Sequence, residues 1–101
     1  MSKRNSTYRF YESSIEKLGE IADSIGVSRN AALAMMIRHG QYDEEMRAPH
    51  PIGIKRMVSF TFPEQTRSML RSKAEKASLS DTAMLELLIN NLRIKMTLES
   101  A

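Results

Sequence analysis

The sequence predicts a mainly α-helical fold carrying short β-strands, built twice over from one strand–helix–helix unit. Three observations predict it: a repeat at an offset of 52 residues, period-two alternation at the start of each copy, and two apolar helical patterns after it. At that offset Lys3-Arg4 falls on Lys55-Arg56, Phe10 on Phe62, Glu12 on Glu64, Leu18 on Leu70 and Ala22 on Ala74. Ser28 falls on Ser80, Ala31 on Ala83, Leu33 on Leu85 and Ile37 on Ile89, giving 10 identities over the 38 ungapped positions 3–40. Other pairs keep their character, among them Thr7/Ser59, Tyr8/Phe60 and Val27/Leu79. A fixed period identifies the structural unit. A unit of about 40 residues is too small to bury a core alone. It needs a partner, and the chain carries one.

The strand comes first in each copy. Ser6, Tyr8 and Phe10 alternate with Asn5, Thr7 and Arg9, and Val58, Phe60 and Phe62 alternate with Met57, Ser59 and Thr61. Such alternation marks a half-buried strand with one apolar and one polar face. A first helix follows. Ile15, Leu18, Ile21, Ala22 and Ile25 form a helical stripe, matched more weakly by Leu70, Ala74 and Ala77 with Met69. Ser13 or Ser14 suits the N-cap of the first copy, and Pro63 suits the first helical position of the second. Gly26 reads as a C-terminal stop.

A second helix follows Ser28-Arg29-Asn30-Ala31 in one copy and Ser80-Asp81-Thr82-Ala83 in the other, each serine reading as an N-cap. Both helices are apolar over much of their surface, the sign of burial, and the last is expected to run on toward Met96. Between the copies Gly40, Pro49, Pro51, Gly53 and the acidic Asp43-Glu44-Glu45 mark a linker. Residues 1–40 therefore form copy one, 41–54 the linker and 55–101 copy two. Extended, fourteen linker residues span roughly 45 Å, enough for the second strand to return beside the first.

Composition narrows the function. The net charge is +3, with a pI near 9.5. Lys3-Arg4 and Lys55-Arg56 place basic pairs ahead of both strands. No run approaches the ~20 apolar residues of a membrane span, and no signal-peptide pattern opens the chain, so a cytoplasmic protein is expected. Cysteine is absent, and His39 and His50 lack metal-ligand spacing, which argues against a metal site. No nucleophile–base pairing or phosphate-binding glycine loop is visible. The expectation is a non-enzyme without a cofactor. The eight methionines read as adaptable core packing.

The order of strand, helix, serine-capped turn and apolar helix resembles the ribbon-helix-helix family of the Arc/MetJ/CopG type. The resemblance covers Thr7 to Ile37 and Val58 to Ile89. It implies antiparallel pairing of the two strands into a ribbon with four helices beneath. With two units in one chain it implies an intramolecular pseudo-dimer, a tandem arrangement like that of relaxosome accessory proteins of the TraY type, with pairing of repeats between chains left open.

It also implies double-stranded DNA as partner, read by the exposed ribbon face in the major groove. Base contacts then fall to Asn5, Thr7 and Arg9 from one strand and Met57, Ser59 and Thr61 from the other. Arg9 suits guanine O6 and N7, and Asn5 suits adenine. Phosphate contacts fall to Ser28, Arg29 and Asn30, to Ser80 and Thr82, and to Lys3, Arg4, Lys55 and Arg56. Asp81 departs from the pattern, since a carboxylate repels phosphate. The unlike strands imply an asymmetric site. A bacterial, phage or plasmid repressor is the leading reading, with further self-association on DNA left open. A plasmid relaxosome, replication or partition accessory protein is the alternative, and an antitoxin-type interaction module ranks third.

Overall fold

The computed structural model describes residues 3–40 and 53–91. Strand β1 (Lys3–Tyr11) leads into helices α1 (Glu12–Ile25) and α2 (Arg29–His39); strand β2 (Lys55–Pro63) leads into α3 (Glu64–Lys76) and α4 (Asp81–Asn91). The strands pair antiparallel as a two-stranded sheet, with Thr7 opposite Ser59 at the centre of the register. Asp43-Glu44-Glu45, His50 and the expected extension of α4 toward Met96 lie outside the described residues, as do the side chains of Lys3 and Arg4.

The alternation has its expected result. Tyr8, Phe10, Phe60 and Phe62 point under the sheet and are buried. Their rings form a continuous cluster, with Tyr8 stacked on Phe10 and Phe60 on Phe62, both at 5.9 Å between centroids. Burying each phenylalanine is worth about 1.5–3 kcal/mol. The helices close the core from below with Leu18 and Ala22 of α1, Leu33, Met36 and Ile37 of α2, Leu70 and Ala74 of α3, and Met84, Leu85, Leu88 and Ile89 of α4.

Each strand enters its helix without a loop, which moves the helix starts from their expected places. Tyr11 is the N-cap residue of α1, in an extended conformation and with no side-chain cap, so neither Ser13 nor Ser14 caps the helix. Ser14 lies a turn inside, fully buried, where its Oγ accepts from Asn90 Nδ2 of α4 at 3.0 Å. Pro63 is likewise the N-cap residue of α3, one position before the first helical residue. The fixed φ of proline fits an extended residue as well as a helical one.

The turns between helices match. Gly26 ends α1 at φ 74°, and Val27 N–H donates to Ala22 O at 3.0 Å. In the second half Ser78 takes φ 58°, and Leu79 N–H donates to Ala74 O at 2.9 Å. These are left-handed helix terminations that return the chain to the core. The serine caps form as expected: Ser28 Oγ accepts from Ala31 N–H at 3.0 Å and Ser80 Oγ from Ala83 N–H at 3.1 Å. Lys73 of α3 donates to Gly40 O at 2.5 Å, tying the end of α2 to the second half. No helix among the described residues is long and apolar enough to cross a membrane.

Candidate nucleic-acid interface

The solvent face of the sheet is a short double row of side chains in facing pairs: Asn5 with Thr61, Thr7 with Ser59, Arg9 with Met57, Tyr11 with Lys55. All six residues expected to touch bases are therefore brought together on one face. Asn5, Thr7, Arg9, Met57 and Ser59 are exposed and Thr61 is half-buried.

The edges of the sheet fix which kind of pair these are. Thr61 N–H donates to Asn30 Oδ1 at 2.7 Å, and Asn30 Nδ2 donates to Thr61 O at 2.8 Å. Both backbone groups of Thr61 thus point away from β1. Asn5–Thr61 is a non-hydrogen-bonded pair, and so are the pairs two and four residues along it. In such pairs the side chains approach closely, and here they bond. Thr61 Oγ1 donates to Asn5 Oδ1 at 2.6 Å, and the hydroxyls of Thr7 and Ser59 share a hydrogen bond at 3.3 Å.

The outward-pointing backbone amides also explain Glu86, a carboxylate only 4 % exposed within the apolar run of α4. Its Oε2 accepts from Tyr11 N–H at 2.8 Å. A buried amide left unpaired costs about 1–3 kcal/mol. Pro63, at the matching end of β2, has no N–H to satisfy. The anomaly of an acid inside Met84–Ile89 was the available sequence signal, and its meaning needed the register.

The phosphate candidates divide. Ser28 and Ser80 spend their hydroxyls on helix caps while remaining at the surface. Thr82 is half-buried beside the second cap. Asn30 binds Thr61 through its amide oxygen and one N–H of its amide nitrogen, so it clasps the β2 edge and keeps one amide N–H for another acceptor. Arg56 is engaged by Glu12 Oε2, and Lys55 Nζ sits 4.8 Å from the centre of the Tyr11 ring. Both side chains stay at the sheet end that carries Arg9.

Arg29 and Asp81 occupy corresponding positions at the starts of α2 and α4, yet the surroundings compensate for the change of sign. Arg29 lies over Gly19, where a Cβ would stand 3.1 Å from Arg29 Nη2. The residue corresponding to Gly19 is Arg71, and its Nη2 lies 3.6 Å from Asp81 Oδ2. A guanidinium therefore stands beside the start of each second helix, supplied by α2 in one half and by α3 in the other. The exposed Arg71–Asp81 pair adds little stability.

Tyr8, which replaces Phe60 in the first half, faces this second group. Burial pushes its phenol above the ordinary 10.0, joined by the charge of Asp81 and opposed by a bond to Ser6 and by Arg67 and Arg71. Among the described residues no group of three acidic, histidine or cysteine side chains is placed to hold a metal ion.

Comparison of the chain with protein-family models, with curated proteins and with solved structures gave no match.

Proposed function

We propose that this chain is a sequence-specific double-stranded DNA-binding protein of the ribbon-helix-helix kind. Its two repeats act as an intramolecular pseudo-dimer, and the outward face of the sheet enters the major groove. Repression by occupying an operator is the role this reading favours.

The observation that carries the reading is an agreement between two independent numbers. Thr7 and Ser59 are 52 positions apart, which is the repeat offset, and they face each other at the centre of the sheet. A two-fold axis through an antiparallel pair requires a residue to face its own counterpart at one point. The axis then passes between these two hydroxyls, as it would in a homodimer with one unit per chain.

A two-stranded β-ribbon fits the major groove, about 12 Å wide, where every base pair is distinguishable. The face offered is polar and carries short hydrogen-bonding side chains plus Arg9. Cations flank it: Lys55 and Arg56 at one end, Arg29 and Arg71 at the helix starts. Such contacts supply affinity and orientation while the ribbon supplies sequence.

Selection from random duplexes, followed by titration of the best site in 50 and 200 mM salt, tests the reading. One enriched, non-palindromic site is expected, with affinity falling about 10³-fold across that range if roughly six phosphates are contacted. Failure to retain any duplex at 50 mM salt overturns it.

A further inference from the structure

We propose that Met57 reads the 5-methyl group of a pyrimidine beside the base pair under Arg9, so that binding responds to the presence of that methyl. The inference rests on the DNA-binding reading above and deepens it by naming what one end of the sheet recognises.

Five of the six residues expected to touch bases carry an N–H, an O–H or a carbonyl in the side chain, and Met57 carries none. It is 68 % exposed, more than any other large apolar side chain among the described residues. A lone exposed methionine is ordinary on a protein surface. This one stands in the outward row, opposite Arg9 in a non-hydrogen-bonded pair, where facing side chains lie closest. Arg9 itself is exposed and has no hydrogen-bond or ion-pair partner among the described residues. The thioether and the guanidinium thus leave the sheet side by side.

The major groove limits what a thioether can meet. Its base edges present hydrogen-bond donors and acceptors throughout and one apolar group, the C5-methyl of thymine. Against a cytosine amino group or a purine edge, Met57 would strip water from polar atoms and return no strong bond. Against the methyl, apolar surface leaves water on both sides of the contact. An unbranched, polarisable side chain adapts readily to such a neighbour. The recognised feature is the methyl itself, which 5-methylcytosine presents at the same place.

The opposite end of the sheet lacks this chemistry. The position corresponding to Met57 is Asn5, which is bonded to Thr61. Methyl reading by a thioether therefore belongs to one end only, and the methyl-bearing pyrimidine marks which way the chain lies on its site.

The test uses the full chain and its selected site, with each thymine replaced in turn by deoxyuridine, which lacks only the methyl. One buried methyl group is worth about 0.8 kcal/mol, so one such replacement is expected to weaken wild-type binding about fourfold. Met57→Leu is expected to keep that difference. Met57→Gln, similar in length but polar, is expected to abolish it. Cytosine placed at the same position is expected to gain about the same factor on 5-methylation. Selection with Arg9→Ala locates the base pair under Arg9, and the methyl-sensitive pyrimidine is expected within one base pair of it.

The inference is overturned if no deoxyuridine replacement weakens binding, or if every methyl effect survives unchanged in Met57→Gln. If Met57→Gln does not fold, as judged by circular dichroism, the position relative to Arg9 decides, and methyl sensitivity confined to more distant base pairs overturns it. Those outcomes defeat this inference alone, whereas no salt-sensitive binding to any duplex defeats the DNA-binding reading beneath it.

Discussion

Arg9 is an exposed cation of the sheet face and has no hydrogen-bond or ion-pair partner among the described residues. A guanidinium left free on the surface proposed to enter the groove is the side chain whose removal is most informative. In the proposed function, Arg9→Ala should cost about 1–3 kcal/mol in binding and relax preference at about one base pair. Fluorescence anisotropy on the selected site and its single-base variants measures both. Equal affinity and equal preference would remove Arg9 from the reading surface.

The outward placement of Arg9 was legible from alternation alone, because a strand's period of two leaves no choice once Phe10 is buried. Asn30 was not legible. Its position after a serine cap suits a phosphate, and nothing local tells that β2 passes close enough to occupy both ends of its amide. Arg71 was hidden for the same reason, since its relation to Asp81 spans the turn between α3 and α4.

At the scale of elements, the two helix–helix turns are one structure written with different residues. Gly26 meets the left-handed conformation freely, and a Cβ there would touch nothing within 4 Å. Ser78 adopts φ 58° with a Cβ, at a cost of roughly 1–2 kcal/mol, partly offset because glycine loses more entropy on folding. Ser78→Gly should therefore stabilise the protein by about 0.5–1 kcal/mol, and Gly26→Ser should destabilise it by a similar amount. Urea unfolding of both variants checks the pair; a destabilised Ser78→Gly would contradict the account.

The stop at Gly26 could be read in advance because glycine announces such a turn, whereas Ser78 carries no such mark. The helix starts were displaced for a complementary reason. Ser13 and Ser14 are good caps in isolation, but a strand that runs straight into α1 takes the cap position for Tyr11.

At the scale of the whole molecule, both strands and all four helices come from one chain and share one core. On the two-repeat reading, no second chain is needed to complete the fold. Unfolding should then be independent of protein concentration, because no association step is coupled to it. Thermal melts over a hundredfold range of concentration, with the mass in solution measured alongside, test this. A midpoint that climbs with concentration would mean that the strands pair between chains. The order of elements was readable from the repeat. The register was not, because fourteen linker residues permit many alignments; the bonds at the strand edges select one.

The Tyr11–Glu86 contact bears on whether the two halves are interchangeable. Position 86 corresponds to position 34, which is alanine in the first half. Two copies of the first half paired with each other would set Ala34 against the Tyr11 amide, with no carboxylate to receive it. Two copies of the second half would set Glu86 beside Pro63, which has no amide to offer. On the two-repeat reading, neither half could be replaced by a second copy of the other without losing this bond. On that reading, one hydrogen bond is enough to make each half dependent on the other.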